Sequence, residues 1–229
     1  MDAPIVIIID IEPDRTFVDP HDQKPWEGFE RAVPYFQNWR QSLQDSTGKT
    51  VSFTWSLRLD PQISETYGDP AWAIKRYQPQ LEQLALEGDE LGIHVHAYRR
   101  TNSSNHWIED FGDQDWINAC VNMAYETFSE YFPSPPRVFC MGADWINHDT
   151  VMLAEQLGME VEISAISGAP SRPANKKKYS GIQPDLSRVK PIPYHPSQHD
   201  FRIADPERTD GIWVVPLSRI RKENRFGRL

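Results

Sequence analysis

Short apolar runs alternate along the chain with longer amphipathic stretches. Pro4 to Asp10 (PIVIIID) is brief, continuous and β-branched, and reads as a strand buried on both faces. From Glu27 to Gln44, Phe29, Val33, Phe36, Trp39 and Leu43 recur at helical spacing, and Gly48 supplies the stop. Val51 to Leu59 returns to strand-like alternation, and Pro70 to Glu87 is helical again, closed by Gly88. Glu90 to His96 is a third strand and Trp116 to Phe132 a third long helix. The second half continues with strand Arg137 to Met141, helix Asp149 to Leu157 and strand Glu160 to Ser164. A long loop follows at about 167–188, and Val189 to Pro193 and Gly211 to Pro216 supply two last strands.

Strands interleaved with helices predict a parallel α/β fold, and a barrel is preferred to an open sheet. No glycine-rich phosphate loop follows the first strand, which speaks against a dinucleotide fold. With no internal repeat and no dividing linker, the 229 residues are expected to form a single domain. The net charge of −9 disfavours nucleic acid, which demands clustered Lys and Arg. The one basic cluster, Lys176-Lys177-Lys178, reads as a solvated loop tip. No apolar run approaches the ~20 residues of a spanning helix, so membrane insertion is not expected. Asp2 stands where a secretory signal carries basic residues, and two cysteines make no disulfide framework, so a cytoplasmic setting is expected.

Candidate chemistry lies where strands end. Asp10 and Glu12 close the first strand two residues apart, so both carboxylates project to one face. Acids directly after an apolar strand are costly unless they bind a cation, share protons or reach water. The alternative is a solvated strand end, with Asp14 capping a turn. His94 and His96 close the third strand with the same spacing. Together the four offer two nitrogens and one or two oxygens, a set suited to a divalent ion that keeps one position open for water.

The order IIIDIEPD, FTWSLR, GDELGIHVHAYR and FCMGADWINHDTVMLAEQLGMEVEIS, ending in PYHPSQHD and GIWVVPLS, resembles polysaccharide deacetylases of the NodB-homology type. The resemblance implies a distorted (β/α)7 barrel and a metal-dependent hydrolase that deacetylates N-acetylated carbohydrates, in surface-glycan biosynthesis or modification. Its partner would be an acetylated glycan, and its cofactor Zn2+, with Co2+ or another divalent ion as substitutes; oligomeric state is not specified. It implies Asp10 as general base and Glu12 and His94 as metal ligands.

Three departures stand out. The family spaces its two histidines four apart, but four after His94 comes Tyr98, so His96 supplies the second nitrogen. Cys140 stands where the family carries an arginine beside the base, and reads as a small buried filler. The late histidine that serves as general acid has no clear counterpart; His195 and His199 are the nearby candidates, the alternative being that both are loop residues. Asp144 and Trp145 fall where substrate loops would lie, and Trp145 either stacks on a sugar ring or packs under its own loop. The competing function is a noncatalytic relative that binds a glycan or partner. A different amidohydrolase acting on a small nitrogenous substrate is a third.

Overall fold

Parallel pairing in chain order organises the molecule. The computed structural model describes residues 6–15, 26–100, 107–171 and 179–217. Its main sheet contains β1 (Ile8–Ile11), β2 (Thr54–Arg58), β3 (Glu90–Val95), β6 (Val138–Met141), β7 (Val161–Glu162) and β9 (Trp213–Val214). The spatial order is β1-β2-β3-β6-β7-β9, and every neighbouring pair is parallel. Between them lie α1 (Glu27–Thr47), α2 (Pro61–Tyr67), α3 (Trp72–Leu86), α4 (Gln114–Tyr131) and α5 (His148–Gln156). A smaller sheet, β4 (Tyr98–Arg100), β5 (Trp107–Asp110) and β8 (Tyr179–Ser180), stands beside the third crossover.

The expected parallel α/β fold is present in this six-stranded sheet, but the closure of a (β/α)7 barrel is not seen: among the described residues no ladder joins β9 to β1. The expected strand over 189–193 is absent as well. Pro191 and Pro193 cannot donate to a ladder, and Tyr194 instead makes an isolated antiparallel bridge to Val214. Among the described residues β1 is an edge strand in which Ile11 is buried and Ile8 and Ile9 are half-buried, rather than one covered on both faces. The lysine cluster 176–178 lies outside the described residues.

The alternation of strand side chains divides the sheet into two unlike faces. Ile9 and Ile11, Trp55 and Leu57, Ile93 and Val95, and Phe139 and Met141 pack with the helices in one continuous apolar core. Each such fully buried side chain contributes about 1.5–3 kcal/mol. Ile8, Asp10, Ser56, Arg58, Gly92, His94 and Cys140 have the opposite parity. Among the described residues this second face carries a small apolar patch around Val138, Cys140 and Ile163, joined by Ile8, Val161 and Val215.

Several polar contacts lock the frame. Asp89 accepts from the Phe53 N–H and the Trp55 indole, both at 2.8 Å, and pairs with the buried Arg40 of α1. Asp14 accepts from the Glu27 and Gly28 N–H groups at 2.9 and 2.7 Å and so caps α1. That satisfies backbone donors left over at a helix start and assigns Asp14 a structural task. Asp60 caps α2, accepting from the Gln62 N–H at 3.0 Å, with Pro61 at the first helical position, where its missing N–H costs nothing.

Candidate functional site

Asp10, Glu12, His94 and His96 meet at the C-terminal ends of β1 and β3. The parallel register sets Asp10 beside Ser56 at one level of the sheet, and Arg58, His94 and Cys140 side by side two residues further along. Ligand atoms of Glu12, His94 and His96 all lie within 4.8 Å of one another. The two histidine Nε2 atoms are 2.9 Å apart, and Glu12 Oε2 is 3.6 Å from His96 Nε2. A tetrahedral ion bound at ~2.0–2.1 Å separates its ligands by about 3.3 Å, so these spacings are compatible with a divalent metal.

Neighbouring groups orient the set. Glu109 of β5, wholly buried, places Oε1 2.6 Å from His96 Nδ1. That contact holds the proton on Nδ1 and leaves Nε2 to face His94 and Glu12, a common arrangement around metal-binding histidines. Tyr98 stacks on the His96 ring at 5.0 Å, and Gly142 lies against its other side, where a Cβ would come within 2.1 Å of Cε1. Asp60 Oδ2 accepts from Arg58 Nε at 2.6 Å and from the His96 N–H at 3.1 Å, tying α2, β2 and β3 together.

Charge is balanced locally. Burial alone would raise the Glu12 carboxyl, but its contact with His96 and the positive charges of His94 and Arg58 outweigh it and hold the pKa at about 2. Burial would lower His96, yet Glu109, aided by Glu12, pushes it up to about 9. Burial lowers His94, with Asp10 opposing. The Cys140 thiol is pushed well up by burial and by the nearby Asp10 and Glu162.

Arg58, Asp60 and Glu109 were not singled out by the sequence. Arg58 is fully buried and lies 3.5 Å from Glu12, bringing a guanidinium into the cluster from β2 rather than from the position of Cys140. A charged residue ending an apolar strand is the signal that marks it. Glu109 is thirteen residues from His96 and carries no local spacing signal.

Asp144 is exposed beyond β6, in a turn where it and Ala143 both adopt left-handed backbone (φ 57° and 56°). Trp145, by contrast, is 2% exposed, stacks on Phe111 at 4.7 Å and donates to the Ile182 carbonyl. Its ring is packed inside and presents no open face at the surface. His195 donates from Nδ1 to the Ile212 carbonyl at 3.1 Å and packs on Trp213. Among the described residues it makes no hydrogen bond or ion pair with Asp10, Glu12, His94 or His96.

No protein-family model matches the chain, and no curated protein matches it in sequence. Its fold is similar to a crystal structure from Mycobacterium smegmatis provisionally named a polysaccharide deacetylase, with a TM-score of 0.52 at 13% identity. That match covers 93% of this chain, which spans 58% of the other's length. The chain also aligns with the BpsB deacetylase domain of Bordetella bronchiseptica at a TM-score of 0.33 and 11% identity, over 80% of this chain and 92% of that domain. No helix among the described residues is long and apolar enough to cross a membrane.

Proposed function

We propose that this chain is a divalent-metal-dependent hydrolase that removes the acetyl group from an N-acetylated carbohydrate, in the biosynthesis or modification of a surface glycan. The observation that carries this reading is the convergence of Glu12, His94 and His96, with Asp10 Oδ1 3.5 Å from His94 Nδ1. Glu12 and the two Nε2 atoms would hold the ion, and Zn2+ suits a nitrogen-and-carboxylate set of this kind. A divalent ion there supplies Lewis acidity, lowering the pKa of a water and polarising an acyl carbonyl.

The chain's own groups do the rest. Asp10, with its side chain 41% exposed, reaches solvent beside the ligand set and accepts the proton of the attacking water. Glu109 fixes the His96 ring, and Arg58 offsets the negative charge of Glu12 and Asp60. Asp144, at the exposed turn after β6, contacts substrate, while Trp145 supports that turn from beneath. His195, whose Nδ1–H is engaged by Ile212, is given no step.

The test is acetate release from N-acetylglucosamine oligomers by the full chain with and without Zn2+. Asp10→Asn is expected to lower kcat by about 10²–10⁴-fold while Zn2+ remains bound, and His94→Ala to lose the ion. A second reading, a glycan binder without hydrolysis, is favoured by Cys140, which stands beside Asp10 where the related pattern carries an arginine. It predicts oligosaccharide binding without acetate release at any Zn2+ concentration, and that result would replace the hydrolase reading.

A further inference from the structure

His94 has two ring nitrogens, and only Nε2 belongs to the ligand set described above. Nδ1 is buried, has no hydrogen-bond partner, and points to the other side of the ring, where Asp10 Oδ1 lies 3.5 Å away. Cys140 is the direct β6 neighbour of His94 in the β3–β6 register and shares its face of the sheet. Ligand atoms of Asp10, His94 and Cys140 all lie within 4.8 Å of one another. A carboxylate oxygen, an imidazole nitrogen and a sulfur thus surround one point, with the exposed Asp10 side chain providing an approach from solvent.

We propose that Asp10, His94 through Nδ1 and Cys140 form a second cation site, selective for a thiophilic divalent ion such as Zn2+ or Co2+, on the opposite side of the His94 ring from Glu12. The sulfur sets its preference, because thiolate favours soft and borderline ions over Mg2+ or Ca2+. Binding replaces the Cys140 S–H bond with a sulfur–metal bond and releases that proton to solvent. His94 keeps its own ring proton on Nε2 while this site alone is filled. Filling both sites releases that proton too and leaves the ring a bridging imidazolate, with no electrons changing hands. The site stands on the Nδ1 side of His94 and does not require the hydrolase reading; an ion held there engages the Asp10 carboxylate and so competes with its use as a base.

The experiment is a Co2+ titration of the full chain followed by absorption. A near-ultraviolet thiolate-to-cobalt band is expected beside the visible ligand-field bands. Cys140→Ser should lose the near-ultraviolet band, and Glu12→Gln should keep it. Absence of that band in the parent chain, or its persistence in Cys140→Ser, overturns the proposal. Visible bands alone, lost in Glu12→Gln, would locate the ion in the Glu12 set and overturn this site while leaving the hydrolase reading intact. A near-ultraviolet band lost in both variants would mean one ion spanning the two sets, and no separate site. Should Cys140→Ser fail to fold, the 113Cd resonance of the parent chain decides. A shift in the sulfur-ligated range supports the site, and one in the nitrogen-and-oxygen range overturns it.

Discussion

His96, just beyond the end of β3, and Glu109 of β5 in the smaller sheet are joined through a 2.6 Å contact between Nδ1 and Oε1, with both side chains buried. The carboxylate thereby decides which imidazole nitrogen is free. Glu109→Gln removes the charge and makes the acceptor ambiguous, since the amide can turn an N–H toward the ring. Zn2+ affinity is expected to fall roughly 10–100-fold, read by competition against a chromogenic chelator, with the helical circular dichroism unchanged.

The same contact makes ion binding pH-dependent. His96 holds its second proton up to about 9, and a cation at Nε2 must displace it. Affinity should therefore rise with pH, by up to about tenfold per unit between roughly pH 7 and 9, and level off above. For folding the sign is opposite. The stability contributed by the charged His96 beside Glu109 is complete below its ordinary value of 6.5 and is lost as pH rises through about 9. Co2+ titrations at three pH values check the first statement; an affinity constant over this range would remove the protonated His96.

Glu162 is a third acid whose surroundings control it. It is wholly buried on β7, accepts from the Ser164 N–H, and has no partner for Oε2. Burial pushes its pKa from 4.5 to about 7. Between those values the unfolded chain releases the proton while the folded chain keeps it. Stability is thus fully present below 4.5 and declines as pH rises through 7, by on the order of 3 kcal/mol. Glu162→Gln should flatten that decline and exceed the parent in urea resistance at pH 8.

Gly142 is required by its neighbour. With a Cβ 2.1 Å from His96 Cε1, Gly142→Ala must displace the ring. A misplacement of about 1 Å costs roughly 100-fold in rate, so acetate release should drop by that order. Displacing the buried ring also disturbs its contact with Glu109, so a fall in melting temperature should accompany the loss of rate.

Much of the frame is legible in the sequence. The apolar spacing of Phe29 to Leu43 and the left-handed Gly48 delimit α1, and Gly158 similarly ends the segment containing α5. The proximity of Asp10 and Glu12 to His94 and His96 is legible too, because residues two apart on a strand share a face and parallel strands end together. Closure of the sheet is not legible, since strand number says nothing about whether the outer strands pair. Nor are β4, β5 and β8, which at two to four residues are too short to show a period. Pro79 also hides a break: the stretch read as one helix from Pro70 begins at Trp72 and leaves helical geometry at Tyr77. Glu109 and Arg58 enter through strand order, and no local spacing encodes that.

Among the described residues β1 is paired along one side alone, to β2. Asp10 is therefore carried by an outer strand, whereas His94 rides on a central strand held from both sides. Amide hydrogens of Ile9 and Asp10 should exchange faster than those of Ile93 and His94. Each opening of that margin would swing the carboxylate away from the histidines, so bridging the margin with a bound ion or glycan should slow exchange there before anywhere else.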